Sequence, residues 1–431
     1  MTGELTTRKF SKTIDWKLIV CYLLLVTVGL VNIYSSVQSG DPGSLFDLSQ
    51  RCGKQLVWFG VSLVAAVLVL FVIKPRLWEV ITTPSYLLVL VLLVAVIFLS
   101  KDTKGSHSWF EFGPVKFQPA ELSKITTSLM LAAYMGRPGF RFSDRRKFLG
   151  VVLIVLVPML VIVAESETGS ALVYAGFLFA LYREGLTGWV LFVIGMAILL
   201  FILTLVTSPW ISLLVLLLVI ALVFRRFLKI NGRILRLRRA ARRLALVSFA
   251  AGAAFVFCTQ LAFDHVLKDY QRARIEVLLG LREDPSGAGY NVHQSMIAIG
   301  SGGAFGKGFL HGTQTAYGFV PEQSTDFIFC TVGEEWGFVG CLVVLLLYAL
   351  LIYWIIRDAD SSRETFTRVY GFCLASCLFM HLVINVGMTI GLMPVIGIPL
   401  PFMSYGGSSL LAFTVMLFIF IALDRQEKKY F

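Results

Sequence analysis

The sequence predicts an all-α integral membrane protein, a polytopic helical bundle of about twelve crossings. Three observations predict it. Of the 431 residues, 57% are hydrophobic and only 15% charged. Mean hydropathy is +0.80. The apolar residues gather into runs of about 20, the length that crosses a ~30 Å hydrocarbon core. A soluble domain of this size has no core able to hide that much apolar surface.

The apolar runs fall at roughly 17–36, 55–73, 82–100, 119–135, 147–164, 168–182, 187–206, 208–224, 244–263, 328–355, 366–390 and 402–424. Run 119–135 carries Glu121 and Lys124 near its start, and runs 147–164 and 168–182 are parted only by Glu165-Ser166-Glu167. The last two read either as two short helices or as one interrupted helix. The basic N-terminus precedes an apolar run too long for a signal-peptide core, so that run is expected to be a retained first helix.

The net charge of +12 is explained by its placement. Basic residues fill alternate loops: Arg8–Lys17, Lys74–Arg76, Arg137–Lys147, Arg183, Arg225–Arg243 and Arg425–Lys429. Twelve crossings with the N-terminus inside put all of them on the cytoplasmic side, the positive-inside pattern. Both termini are then cytoplasmic. The basic loop 225–243 reads as a stop signal that also touches anionic lipid. It lacks the interleaved aromatics of a nucleic-acid surface, so no nucleic-acid partner is expected. The seven cysteines show neither zinc nor redox spacing. Cys373 and Cys377 share a helix face and read as packing.

The chain reads as a single polytopic transmembrane domain, 1–431. Its outer side receives 37–54, 101–118, the turn at 165–167 and a long loop, 264–327. That loop is the one long polar stretch, and its spaced apolar residues and glycines predict order.

Ionisable groups in or beside apolar helices are candidate site residues. In 109–124, Lys116 precedes a helix that Pro119 is suited to start. Glu121 and Lys124 share a face, which serves either an ion pair at the membrane boundary or the wall of an outward polar cavity. Glu165 and Glu167 are solvated turn residues or cavity acids. In 270–308, Asp284-Pro285-Ser286-Gly287 predicts a turn. The glycines of 300–308 fail the phosphate-loop pattern, with Ser301 and Gly308 at two required positions. A tight backbone turn is the better reading, with Arg272, Arg274 and Lys307 able to hold an anion. In 320–335, Thr325 is placed to cap a helix that Asp326 opens. Glu334, two turns on, can share a face with Asp326. Two such acids suit a cavity holding a cation. Finally, 385–409 carries Pro394, Pro399, Pro401, Gly391 and Gly397. It cannot be a straight helix, and broken backbone at this depth must be packed against protein or a cavity. Ser404 is placed to cap the last helix.

Four ordered blocks resemble the shape, elongation, division and sporulation family. They are GSHSWFEFGPVKFQPAELSK, DYQRARIEVLLGLREDPSGAGYNVHQSMIAIGSGGAFGKG, FVPEQSTDFIFCTVGEE, and the ungapped GLMPVIGIPLPF with SYGGSS. Ile398-Pro399 before Leu-Pro-Phe is similar to the family's cell-elongation branch. The resemblance implies a peptidoglycan glycosyltransferase that polymerises lipid II at the outer face of the bacterial cytoplasmic membrane. It implies a class B penicillin-binding transpeptidase as partner, with other elongation-complex membrane proteins. It puts the essential acid at Asp326, the family's Glu and Lys at Glu121 and Lys124, and its tryptophan at Trp109. Lys116 stands where the family often has Arg, which keeps the charge but loses the fork. The family's Gln-Pro-Asp-x-Gly-Thr reads 165–170 here, carrying the acid onto Glu167. The family has about ten helices, which assigns the surplus to 187–243.

Such chemistry calls for a base, Asp326, and for cations on the leaving diphosphate. Lys116 and Lys124 are placed for this, with Arg272 and Arg274 behind them. Glu121 would orient Lys124, and Glu334 would support the site. A divalent cation, Mg or Mn, is the one cofactor expected. Broken helices and buried charges also suit a lipid II flippase. A non-catalytic scaffold is the third reading.

Overall fold

The computed structural model describes residues 14–37, 44, 46–100, 108–112, 115–231, 235–265, 267, 269–282, 284 and 289–430. The expected turn residues 285–288 lie outside these. The chain forms two compact units, one of 1–185 with 291–431 and one of 186–290.

The larger unit opens with α1 (Trp16–Val37) and α2 (Arg51–Val67), continued by a π turn (Leu68–Val72). Then come α3 (Arg76–Leu99), the antiparallel hairpin β1 (Phe110–Phe112) and β2 (Val115–Phe117), and α4 (Pro119–Met135). Next are α5 (Arg145–Ala164), α6 (Thr168–Tyr174) and α7 (Phe177–Arg183). The smaller unit holds α8 (Gly188–Val206), α9 (Pro209–Asn231), α10 (Leu235–His265) and α11 (Asp269–Leu278). The larger unit resumes with α12 (Tyr290–Gly302), α13 (Thr313–Ala316), α14 (Ile328–Ser361), α15 (Thr365–Thr389) and α16 (Gly407–Tyr430).

Among the described residues, ten helices are long and apolar enough to cross a membrane. Two of the twelve apolar runs make up the difference. Run 119–135 forms α4, with 17 residues. Run 168–182 breaks at Ala175-Gly176 into α6 and α7, of seven residues each. The helices of 187–243, expected to be surplus, are themselves among the ten.

In the larger unit, α15 and α16 are the buried crossings, with 72% and 78% of their apolar windows covered by protein, and the shorter α4 is buried along most of its length. The other long helices of that unit keep broad apolar faces open, as lipid contact requires. α15 packs against α14 and α4, and α14 also against α1. Tyr22 of α1 meets Phe402 and, on α16, Phe418 edge to face, and Phe402, just before α16, meets Phe413 in the same way.

α4 begins where the sequence places it, with Pro119 in its first turn and Glu121 beside the positive helix end. α14 carries a non-helical residue at Gly337. The loop 303–308 docks its backbone there: Lys307 and Gly308 amides donate to the Glu334 and Glu335 carbonyls, both at 3.0 Å. A Cβ on Gly306 would stand 2.1 Å from the Glu335 oxygen, and its φ is +81°. Only glycine allows that approach, which is the tight turn expected of this stretch.

Candidate active site

Asp326 lies in a turn spanning 321–327 and is half-buried. It does not open a helix. α14 starts at Ile328 with Phe327 as its uncapped N-cap, and the Thr325 hydroxyl turns back to Glu322 at 3.2 Å. The helix-cap reading of Asp326 therefore falls.

What fixes this turn is the broken segment between α15 and α16, together with Asn385 near the end of α15. Three consecutive carbonyls are held in sequence. The Tyr405 amide donates to Ser324 at 2.8 Å. The Ser404 hydroxyl donates to Thr325 at 2.6 Å, and Asn385 Nδ2 donates to Asp326 at 2.8 Å. Ser404 is thus spent on the turn and on the Leu400 amide, 2.8 Å away. It is not the cap expected for α16.

The same segment backs the carboxylate. Gly397, at φ +74°, presents its α-carbon to Asp326, where a Cβ would stand 3.2 Å from Oδ2. Gly169 packs on the side chains of Ile396 and Ile398, so the 165–170 turn joins the segment. Arg51, at the start of α2, donates to the Ser324 hydroxyl at 2.6 Å. It lies 3.5 Å from Glu322, stays 45% exposed, and faces Tyr405. The sequence reading passed over Arg51. Its signal was a cation, with Lys54 one turn on, at the outer end of a crossing.

Behind the turn is a buried ionic group. Lys124 Nζ lies 2.8 Å from Glu121 Oε1 and 2.9 Å from His381 Nε2, with Phe413 beneath it at 5.0 Å. Lys124 and His381 are each 1% exposed. Of the two readings open for Glu121 and Lys124, the buried ion pair is the one present. An ammonium so enclosed does not reach a diphosphate. His381 was missed as well. It sits one turn before Asn385 on α15, a pair of polar residues on one face of an apolar helix.

Glu334 also differs from expectation. It is fully buried, and its carboxylate is filled by the amides of Gln314 (2.8 Å) and Thr315 (2.9 Å). Lys307 Nζ adds a contact at 2.7 Å and Thr313 Oγ1 one at 3.2 Å. Glu334 therefore anchors the loop 307–315, and Lys307 is committed to it rather than to an anion. Next to it, Glu335 accepts from the Ser35 hydroxyl of α1.

Lys116 is on the hairpin, 55% exposed, and pairs across it with Glu111 at 2.6 Å. Trp109, half-buried, leads into β1. Glu167 accepts from the Ser108 hydroxyl at 2.6 Å. Glu165 is 1% exposed, with both oxygens unmatched among the described residues. Burial, then the neighbouring Glu167 charge, pushes its carboxyl from the ordinary 4.5 up to about 8.

Arg272 and Arg274 lie on α11 in the smaller unit. Arg272 is occupied by the carbonyls of Phe263 (2.7 Å) and Asp264 at the end of α10, a helix C-terminus that welcomes a cation. Arg274 is exposed. Among the described residues, no three His, Cys, Asp or Glu side chains gather to hold a metal ion.

The family model described as cell cycle protein, for FtsW, RodA and SpoVE, matches residues 15–228 and 235–429. The peptidoglycan glycosyltransferase MrdB of Escherichia coli (strain K12) is 34% identical over 357 residues, 83% of this chain and 81% of that protein. The peptidoglycan glycosyltransferase RodA of Treponema pallidum is 32% identical over 419 residues, 92% of this chain and 94% of that one. A chain from a peptidoglycan synthase complex that coordinates polymerization and crosslinking superposes with a TM-score of 0.63 at 28% identity. It covers 96% of this chain and 98% of that one. RodA of Thermus thermophilus gives 0.59 at 26% identity, covering 96% and 97%. The chain belongs to the FtsW/RodA/SpoVE family of cell cycle proteins.

Proposed function

We propose that the protein is a peptidoglycan glycosyltransferase that polymerises lipid II into glycan strands, serving cell elongation and rod shape. The observation that carries the reading is the Asp326 turn. Its backbone is pinned at three consecutive carbonyls while its half-buried carboxylate lies against Gly397. A half-buried carboxylate on a backbone so fixed is placed to act as a base. The named activities of the MrdB and RodA relatives support the same reaction.

The acceptor sugar's 4-hydroxyl gives its proton to Asp326 as its oxygen bonds to the donor's anomeric carbon. The bond from that carbon to the diphosphate oxygen breaks, and the lipid diphosphate leaves with the electron pair. Cations must meet that charge. Arg51, hydrogen-bonded to the neighbouring Ser324, and the exposed Lys116 take this part. Lys124, enclosed with Glu121 and His381, positions instead. Trp109 and Glu167, the latter held by the Ser108 hydroxyl, would help bind substrate, and Arg274 belongs to the long loop 264–327 on the outer face. With no three-ligand set among the described residues, a divalent cation (Mg or Mn) would be held mainly by the diphosphate itself, as Mg²⁺ usually is.

The site would open to the outer face of the bacterial cytoplasmic membrane, with both termini and loop 225–243 inside. A class B penicillin-binding transpeptidase would cross-link the strands, as the synthase-complex likeness supports, beside other elongation-complex membrane proteins. The test is polymer formation by the purified protein on lipid II in detergent. Polymer separates an enzyme from a flippase or scaffold.

A further inference from the structure

Lys124 carries an ammonium, which donates hydrogen bonds and accepts none. The His381 Nε2 facing it at 2.9 Å must therefore be the acceptor. That puts the ring's one proton on Nδ1, where it meets the Pro399 carbonyl at 2.9 Å. This tautomer follows from the network. A second proton on the ring would set two cations against each other inside the protein, so the imidazole is neutral here.

The placement of His381 gives this contact a consequence. His381 and Asn385 are one turn apart on α15, and they hold consecutive carbonyls of the broken segment. His381 holds Pro399, and Asn385 holds Ile398 at 2.7 Å. Asn385 also holds the Asp326 carbonyl, and Gly397, next in line, backs the Asp326 carboxylate. Phe413 locks the imidazole edge to face, centroids 4.9 Å apart. The chain of contacts runs from Glu121 through Lys124 and His381 to the backbone that Asp326 rests on.

We propose that His381 is a positioning residue for the glycosyl transfer: as a neutral imidazole it couples the buried Glu121–Lys124 pair to the 397–399 backbone that sets Asp326. The inference rests on the reading of Asp326 as the base. It gives Lys124 an indirect role and adds a residue that none of the catalytic assignments contains.

The test compares His381→Gln and His381→Phe in the purified full-length protein acting on lipid II. Glutamine can accept from Lys124 through its oxygen and donate to Pro399 through its nitrogen. Phenylalanine fills the space and does neither. The expected result is a kcat loss of about tenfold to a hundredfold for His381→Phe, with KM little changed and the melting temperature lower by several degrees because the Pro399 carbonyl loses its donor, and recovery of most of kcat by His381→Gln. Should His381→Phe not fold, His381→Leu takes its place. Equal losses in the glutamine and apolar variants, a loss confined to KM, or an apolar variant as active as the parent would each overturn the proposal. Asp326→Asn measured beside them keeps the two readings apart. Its retention of activity would remove the base assignment, whatever His381 does. An inactive Asp326→Asn beside a fully active His381→Phe would remove only the positioning role.

Discussion

Asn385 joins Asp326 to Ile398: its single side-chain amide gives one hydrogen to each backbone oxygen, at 2.8 and 2.7 Å. The residue is fully buried, so both oxygens lose their partner if it is replaced by leucine. An unpaired buried carbonyl costs about 1–3 kcal/mol. Asn385→Leu is expected to lower the melting temperature by several degrees and glycan synthesis by a larger factor. Paired melting and polymerisation assays check this.

Gly397→Ala probes the same wall from the other side. The residue sits at φ +74°, which costs a residue with a Cβ about 1–2 kcal/mol. The new methyl would also meet Asp326 Oδ2 at 3.2 Å and push the carboxylate aside. Activity should fall well beyond the modest loss of stability, with kcat rather than KM affected.

Glu334→Ala would strand Lys307 and two amides of the 307–315 loop. Lys307 is a quarter exposed, so the cost lies at the low end for a broken buried pair, about 3 kcal/mol. Hydrogen exchange across 307–318 should rise, while exchange in α15 and α16 stays protected.

Glu165 makes stability depend on pH with an unusual sign for an acid. Its folded-state value of about 8 lies above the ordinary 4.5, so the folded state binds the proton more tightly. The associated stability is full below pH 4.5, falls as pH rises toward 8, and is gone above it. Glu165→Gln should flatten that part of the melting-temperature profile between pH 5 and 8.

Much of this was legible in the sequence. The crossings follow from hydropathy, and Asp326 stands out as an acid beside an apolar helix within a recognisable block. Pro119 marked the start of α4. What escaped was the direction of side chains. Glu334 has the right spacing to face Asp326, yet it serves a loop some 20 residues upstream in sequence, and spacing along one helix does not reveal that. Thr325 and Ser404 each fit a helix cap, but tertiary partners claimed both hydroxyls. Lys124 could have faced water or protein. His381 decides it, and only its register with Asn385 hinted at a role. Lys116 also finds Glu111 across a hairpin that hydropathy alone does not foresee.

The most direct measurement is glycan polymer formed from lipid II by purified Asp326→Asn, in detergent and beside the parent protein. Asparagine keeps the shape and the backbone contacts of Ser324, Thr325 and Asp326, but it cannot take the hydroxyl proton. The account predicts no polymer from a variant that melts as the parent does. Polymer at the parental rate from that well-folded variant would contradict it.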